Sequence, residues 1–301
     1  MIKINRDQFV FAMDKNNPPA AQAKSGDQVV FDLMDCFSDT VKSEADTISE
    51  IDFNKINPAT GPLYVEEAEV GDVLKVTIED IKLDPQGAVM SAPGLNKYFS
   101  NNITKEQTVI CPIDDAAGTF EFQGVTLPLN KHIGVIGTAP AGEAVTTGTP
   151  RMHGGNMDNT KIAPGSILYL PVNTPGALLA MGDMHASMGD GEVWGSGVEV
   201  GGQVTVTVEV LKDSHMPTPF VETADAYYAF GAADNMEEAV TLASDNLHQF
   251  IMDEAGLDFN QAGMLMTIKA NLAPCQIVNP DASFRFGIAK DILEAAKGFK
   301  G

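Results

Sequence analysis

The stretch that decides the fold is residues 201–211, Gly-Gly-Gln-Val-Thr-Val-Thr-Val-Glu-Val-Leu. Its valines alternate with threonines and a glutamate, which is the period of two that buries one face of a β-strand. Three other segments also have a glycine turn followed by a β-type run, and these turns lie at Gly26, Gly71 and Gly165. The sequence therefore predicts a strand after each of the four turns.

The chain changes character about two thirds of the way along. No long helical pattern occurs in residues 1–215, which favours a mainly β body of the β-sandwich or barrel-like type. After Pro217 and Pro219 the pattern becomes mixed. We therefore expect two units, a β-rich body at 1–215 and a smaller α+β C-terminal part at 216–301.

Helix signals are confined to the C-terminal part. Asp234 and Glu237 have the spacing of a capping box, which predicts a helix that begins there and ends at Gly256. Asp258 and Gln261 have the same spacing and predict a second helix. Two short apolar stretches beyond it predict strands, at residues 276–278 and 284–288.

Charge and composition exclude several classes of function. The chain has 41 acidic and 19 basic residues, a net charge of −22, which argues against nucleic acid or an anionic membrane as partner. It shows no apolar signal segment and no apolar run near the ~18 residues that a membrane span needs. Three distant cysteines do not form a disulfide framework. We expect a cytoplasmic protein.

The usual catalytic motifs are missing from the sequence. Gly-x-Ser-x-Gly, His-Glu-x-x-His, the phosphate loop and the dinucleotide fingerprint are all absent. Cys36 is a possible nucleophile, but it follows Asp35 and lacks the positive surroundings that lower the pKa of a thiol. We expect a packed thiol at this position.

Histidines and carboxylates gather between residues 153 and 199. Lys161 is the one cation between Arg151 and Lys212. The potential ligands in this stretch are His153, Asp158, Asp183, His185, Asp190, Glu192 and Glu199. Such groups repel one another without a cation, so the pattern predicts a metal site with mixed nitrogen and oxygen ligands. The ligand types suit zinc, and the excess of carboxylates could also hold a harder ion such as calcium. The alternative is an exposed acidic loop with two satisfied histidines.

Three motifs in this stretch carry a resemblance to a known family. They are His153-Gly-Gly-Asn-Met-Asp158, Gly182-Asp-Met-His185 and Gly189-Asp-Gly-Glu192. Together with Asn57-Pro-Ala-Thr-Gly61 and Gly134-Val-Ile-Gly137, they resemble the acetamidase/formamidase family of amide hydrolases. The resemblance implies a cytoplasmic enzyme, a homodimer, that converts small neutral amides to a carboxylic acid and ammonia.

The resemblance also implies roles for individual residues. Asp35 matches an aspartate that the family presents near the start of the chain, and Glu199 is a further ligand. The implied metal ligands are Asp35, His153, Asp158, Asp183, His185 and Glu199. Glu192 or Asp190 would be the general base, and Asn156 would donate to the developing oxyanion. The role of His132 stays open, because members of the family differ there.

Two other functions remain compatible with the sequence. The chain could hydrolyse a larger amide, or it could be a non-catalytic, metal-stabilised β binding protein. The preferred amide, the metal and the identity of the general base are properties of the folded site.

Overall fold

The computed structural model describes residues 1–95 and 97–298, and their secondary structure is mainly β. Strands β1 to β11 are Ile2–Ile4, Phe9–Val10, Ala12–Met13, Ala21–Ala23, Gln28–Leu33, Ala59–Val65, Val73–Leu83, Gln86–Ser91, Gln107–Asp114, Thr119–Phe122 and Val125–Pro128. Strands β12 to β22 are His132–Gly137, Val145–Thr146, Gly154–Asn156, Ile167–Pro171, Leu179–His185, Glu199–Val200, Gly202–Leu211, Phe220–Glu222, Ala226–Ala233, Asn271–Gln276 and Ala282–Ala289. Helices α1 to α3 are Met236–Ala255, Phe259–Lys269 and Lys290–Ala296, and short 3-10 turns lie at Ile48–Glu50, Phe53–Lys55 and Ser100–Asn102.

Two large sheets form the body. One has nine strands in the order β1-β5-β18-β7-β15-β19-β20-β22-β21. The other has eleven: β11-β10-β9-β8-β17-β16-β12-β14 form a path, and β6 joins β16 to β2 and β4. Strands β3 and β13 pair separately. The two large sheets share one apolar core, with side chains such as Val206 and Leu168 from the first and Ile136 and Met181 from the second. The expected fold class, a mainly β body of the β-sandwich or barrel-like type with a smaller α+β C-terminal part, is confirmed.

The stretch at residues 201–211 forms the long strand β18 near the middle of the nine-stranded sheet. Val204, Val206 and Val208 are fully buried, and the threonines between them are half-buried on the other face. Strand β18 pairs antiparallel with β7, which contains the β-run predicted after Gly71. The runs predicted after Gly26 and Gly165 lie in β5 and β15, so all four strands are confirmed.

The C-terminal strands extend this sheet. Strand β19 pairs with β15, and β20, β22 and β21 follow it. The helices pack on the face opposite the main core, where Tyr169, Phe220, Leu247 and Phe250 form a second apolar cluster. Neighbouring Leu168 and Leu170 point to the main core, because successive side chains of a strand alternate. The division of the chain at residue 215 stays a prediction.

Two C-terminal details differ from the predictions. The N-cap of α1 is Asn235 rather than Asp234, because Asn235 is the residue with extended backbone whose side chain accepts from the Glu238 amide. The strand predicted at 276–278 is β21, Asn271–Gln276, an edge strand where Pro274 is tolerated. The stop at Gly256, the Asp258–Gln261 capping box and the strand at 284–288 are confirmed. Among the described residues, no helix is both long and apolar enough to cross a membrane.

Candidate active site

A row of three buried side chains crosses the eleven-stranded sheet. His132 of β12 lies directly opposite His185 of β16, and His185 lies opposite Glu199 of β17. The Nε2 of His132 is 3.2 Å from Nδ1 of His185, and Nε2 of His185 is 3.1 Å from Oε2 of Glu199. The cross-strand register therefore brings together residues far apart in the sequence.

The hydrogen bonds of the row fix its proton positions. Burial lowers the pKa of His132 to about 3, so its ring is neutral. Its Nδ1 lies 2.7 Å from the carbonyl oxygen of Asn130, which can only accept, so Nδ1 carries the proton. His132 Nε2 must then accept from His185 Nδ1. The remaining nitrogen of His185, Nε2, faces the Glu199 carboxylate, and a proton or a metal ion has to lie between them.

Asp158 and Asp183 converge on the same region over Gly134. A Cβ at Gly134 would lie 2.6 Å from Asp158 Oδ1 and 2.6 Å from Asp183 Oδ2. The amide of Asp158 donates to the Gly134 carbonyl, and in the register of β12 and β16 Gly134 falls opposite Asp183. The absence of a side chain at Gly134 thus makes room for two buried carboxylates.

Three of the site carboxylates occupy left-handed backbone. The φ angles are +48° at Asp158, +55° at Asp183 and +47° at Glu192. Such angles are uncommon for residues other than glycine and persist where the surrounding structure holds them. Asp183 has this conformation inside a strand, and its pairing with β12 is interrupted at that residue. The backbone is therefore bent where the carboxylates meet.

The carboxylates are held by one oxygen each. Asn279 donates to Asp158 Oδ2 at 3.5 Å, and Asn57 donates to Asp183 Oδ2 at 3.4 Å. The amide of Gly197 donates to Glu199 Oε1 at 2.7 Å. Asp158 Oδ1, the second oxygen of that carboxylate, is buried without a hydrogen-bond donor, and Glu199 Oε2 faces the Nε2 of His185 at 3.1 Å. Ligands oriented by an outer shell, with free oxygens turned to a common centre, are the arrangement of a metal site.

Glu192 and Cys36 complete the cluster. The ligand atoms of the cluster fall into three overlapping groups, and the atoms of each group lie within 4.8 Å of one another: Asp158, Asp183 and His185; His185, Glu192 and Glu199; and Cys36, Asp183 and Glu199. Such clustering of acids around one histidine matches the donor chemistry of a divalent cation.

The pKa values reflect the cost of placing these charges together. Burial raises the pKa of Asp158 to about 7, and burial with neighbouring carboxylates raises those of Asp183 and Glu192 well above their usual values. Burial opposes charge on His185, but Glu199 and the two aspartates raise its pKa well above the ordinary value. Burial likewise disfavours the Glu199 carboxylate, yet the facing His185 lowers its pKa. A bound cation would relieve this repulsion.

Three residues predicted for the site lie outside the three ligand groups. Asp190 binds Arg285 through Oδ2 and accepts from Thr160 through Oδ1 at 2.9 Å. Although burial opposes ionisation, the Arg285 guanidinium holds the pKa of Asp190 below its usual value. Asp190 therefore serves an ion pair with β22, outside the three ligand groups.

Asp35 and His153 also lie outside those groups. Asp35 Oδ1 accepts from the amides of Phe37 and Asp39 at 2.9 and 2.8 Å, so it caps its own turn and leaves Cys36 at the cluster. The buried ring of His153 lines a neighbouring cleft together with Arg151, and its Nε2 has no hydrogen-bond partner. Burial, and then the Arg151 charge, lower the pKa of His153 to about 4.

Part of the cluster, namely Cys36, Asp183, Glu192 and Glu199, lines a cavity of about 700 Å³, and we refer to this part of the lining as its floor. Asn156 of β14 lines the same cavity. The Oδ1 of Asn156 is buried without a partner. The predicted oxyanion donor thus shares one cavity with the carboxylates.

The structure adds residues for which the sequence predicted no role. Asn57 and Gly134 lie in stretches that carry the family resemblance, but their contacts with Asp183 and Asp158 arise only in the fold. Asn279 lies outside every quoted motif and reaches Asp158 across 121 residues of sequence. His132, whose role was open, orients His185.

Comparisons with known proteins agree with the fold and with the family resemblance. Residues 12–146 and 141–232 match the sequence model of the Acetamidase/Formamidase family. The fold superimposes on a crystal structure of acetamidase from Bacillus halodurans with a TM-score of 0.94, 42% identity and coverage of 99% of this chain and 100% of that one. Formamidase from Methylophilus methylotrophus is 24% identical over 280 residues, which cover 71% of this chain and 69% of the relative. A Schizosaccharomyces pombe relative is 26% identical over 259 residues, 65% of this chain, and the match spans only 62% of the relative's length.

Proposed function

This chain belongs to the acetamidase/formamidase family, and we propose that it is a metal-dependent hydrolase of short aliphatic amides. In the reaction, water adds to the amide carbonyl carbon, the carbon–nitrogen bond breaks, and the products are a carboxylic acid and ammonia. The family match and the named relatives support the amide as substrate. The geometry of the buried cluster supports the metal.

One observation carries the proposal. Asp158 and Glu199 each have one carboxylate oxygen held by a protein donor. The second oxygen of Asp158 is buried without a donor, and the second oxygen of Glu199 faces the Nε2 of His185. Leaving the Asp158 oxygen buried and unpaired costs on the order of 1–3 kcal/mol, and more when the group is charged. A divalent ion satisfies them together.

We assign His185, Asp158, Asp183 and Glu199 as the residues that hold the ion, zinc in the first instance. When bound, such an ion polarises an amide carbonyl and lowers the pKa of a coordinated water from about 15.7 to about 7. His132 keeps the protonated Nδ1 of His185 turned away, so that Nε2 is the coordinating atom. Asp35, His153 and a second ion such as calcium are not needed for this set.

Glu192 is the general base in this proposal, in preference to Asp190. Its carboxylate belongs to one group with His185 and Glu199 and lines the cavity, so it can reach a water at the floor. Without a bound cation, burial and then Asp158 raise the pKa of Glu192 above its usual value. Asp190 is engaged by Arg285. Glu192 takes the proton of the water and passes it to the leaving nitrogen.

Asn156 stabilises the negative charge that develops on the carbonyl oxygen. Its side-chain amide lies on the cavity wall beside the acid cluster and can turn its NH₂ group to the substrate. A preorganised donor of this kind contributes about 10²- to 10³-fold in rate.

The test is ammonia release from formamide, acetamide and propionamide. The protein is assayed as purified, after removal of metal with a chelator, and after zinc is added back. We expect chelation to abolish release and zinc to restore it, with metal content measured in parallel. Release that persists in metal-free protein would overturn the role of the ion.

The same samples distinguish catalysis from a purely structural ion. An ion that only stabilises the fold would lower the melting temperature on removal, while the zinc-loaded protein released no ammonia from any of the three amides. That result would overturn the proposed hydrolase activity. The molar mass in solution, measured by light scattering, tests the homodimer that we also propose.

A further inference from the structure

The cavity above the acid cluster is lined in part by an apolar wall, beside uncharged polar side chains such as Asn54, Thr147 and Thr149. The side chains of the apolar wall are Phe11, Phe37, Ile48, Phe53, Ile56 and Leu95. Phe37 and Ile48 are buried and pack in one apolar cluster with Leu95, so this wall is part of the folded core. Phe53 is 54% exposed, which places it at the solvent end of the cavity. The walls are thus formed before any ligand arrives.

The cavity is much larger than a formamide or acetamide molecule requires. Its volume of about 700 Å³ falls in the range of about 300–1,000 Å³ that buries drug-sized ligands. Formamide and acetamide have only a few non-hydrogen atoms and would leave most of the apolar wall in contact with water. A substrate that covers the wall gains the free energy of removing that surface from water.

The charges of the cavity lie at one end only. Among the described residues that line it, the charged ones are Asp183, Glu192 and Glu199, all at the floor, and none is Lys, Arg or His. A carboxylate or phosphate at the far end of a substrate would find no cation there and would add to the acidic field. The wall therefore favours a neutral group.

We propose that this site takes primary amides whose acyl group is neutral, apolar and larger than acetyl, with about five to eight carbon atoms, either straight or aromatic. The inference rests on the proposed amide hydrolysis. In a primary amide the leaving group is ammonia, so the acyl group is the only part of the substrate that can fill the apolar space.

A chain-length series tests the proposal. The value of kcat/KM is measured for formamide, acetamide, butyramide, hexanamide and phenylacetamide with the zinc-loaded protein. We expect an increase of up to about fourfold for each added methylene until the wall is covered, which is the free energy of burying one methylene expressed as a rate ratio. A steady decrease from acetamide to hexanamide would overturn the inference and leave the amidase function intact. No hydrolysis of any amide would overturn both.

Two glycines offer a matched pair of variants. Gly148 lines the cavity, and Gly142 lies in a neighbouring loop outside it. A Cβ at either position meets no atom within 4 Å, and neither glycine has left-handed backbone. We expect Gly148→Leu to lower the kcat/KM ratio of hexanamide to acetamide at least tenfold, because the new side chain occupies space near the wall. Gly142→Leu should leave the ratio at the wild-type value. An unchanged ratio in Gly148→Leu would contradict the placement of the acyl group.

A charged substrate tests the prediction that the cavity selects against an anionic group at the far end of the substrate. Hexanamide is compared with the monoamide of adipic acid, which has a chain of the same length that ends in a carboxylate. We expect the charged amide to be at least tenfold poorer in kcat/KM, since it brings an anion into a cavity without a cation. Equal rates would mean that the far end of the chain stays in solvent, and the apolar wall would then have no role in selection.

Discussion

The nine-stranded and eleven-stranded sheets face the same core, yet their central strands differ in regularity. Strands β7 and β18 of the first sheet form a long antiparallel ladder with one irregularity, and their buried residues alternate with half-buried or exposed ones. Strand β16 of the second sheet is buried at every position, and its apolar run is interrupted by Gly182 and the charged Asp183. Asp183 also has left-handed backbone.

This difference indicates that one sheet mainly stabilises the fold and the other mainly positions the residues of the candidate active site. The regular sheet contributes apolar area and supports the helices, whereas the irregular sheet gathers His132, His185 and Glu199 on three neighbouring strands. Local rules of strand structure are broken where charged groups converge, which is typical of functional sites. Substitutions in the two sheets should therefore change different measurable quantities.

The largest effect is expected from His185→Ala in the irregular sheet. The variant loses the one nitrogen ligand of the cluster, and we expect kcat/KM for acetamide to fall about a thousandfold or more, with metal content falling in parallel. His248→Ala, in helix α1 over the regular sheet, is the control and should keep both. His153→Ala should also keep its metal, since that ring lines another cleft. Full activity in His185→Ala would contradict the assigned site.

Val206→Ala in the regular sheet should change stability and not chemistry. Val206 is fully buried between the sheets, and removing its methyl groups is expected to lower the free energy of unfolding by about 2 to 3 kcal/mol. Urea unfolding measures the loss, and the activity per folded molecule should match the wild type. Thr205→Ala, on the other face of the same strand, should cost less than about 1 kcal/mol. A loss of activity per folded molecule in Val206→Ala would contradict this prediction, because it would mean that packing in the regular sheet affects the active site.

His132→Ala probes the orienting contact in the row. Outer-shell partners of ligating histidines contribute about 10- to 100-fold in metal affinity or activity, and we expect a loss of that size. His132→Gln keeps a hydrogen-bonding group near His185 Nδ1 and should recover part of it. Zinc affinity and kcat/KM are measured together. If His132→Ala and His132→Gln lost equal zinc affinity and activity, the hydrogen bond to His185 would not be the cause of the loss.

The smallest effect is expected at the cap of helix α1. Asn235→Ala removes the acceptor for the Glu238 amide and should lower the free energy of unfolding by about 1 kcal/mol. Asp234→Ala should cost less, because Asp234 is not the cap. The two thermal midpoints, compared at equal protein concentration, test the one-residue shift between the predicted and observed caps. A larger loss in Asp234→Ala would restore the original prediction.

The sequence by itself determined the type of fold. Alternating valines in residues 201–211, the glycine turns and the Asp258–Gln261 capping box are local signals, and the structure agrees with each of them. Local signals suffice there because strand periodicity and helix capping depend on neighbours a few residues away. Most of the acidic cluster is also close in the sequence, since Asp183 and His185 share a strand and Glu192 and Glu199 follow within 14 residues of His185.

Only the tertiary structure decided which of these groups face one another. Asp190 lies two residues from Glu192, yet it turns to Arg285 on a distant strand, while Cys36 reaches the cluster and Asp35 caps its own turn. Asn279, Gly134 and His132 enter through strand register and loop packing, which no local pattern encodes. The size and apolar walls of the cavity likewise arise from loops that meet only in the folded chain. The direction of a side chain at a site is set by long-range packing. The spacing of residues in the sequence therefore predicted most members of the cluster but not which of them face one another.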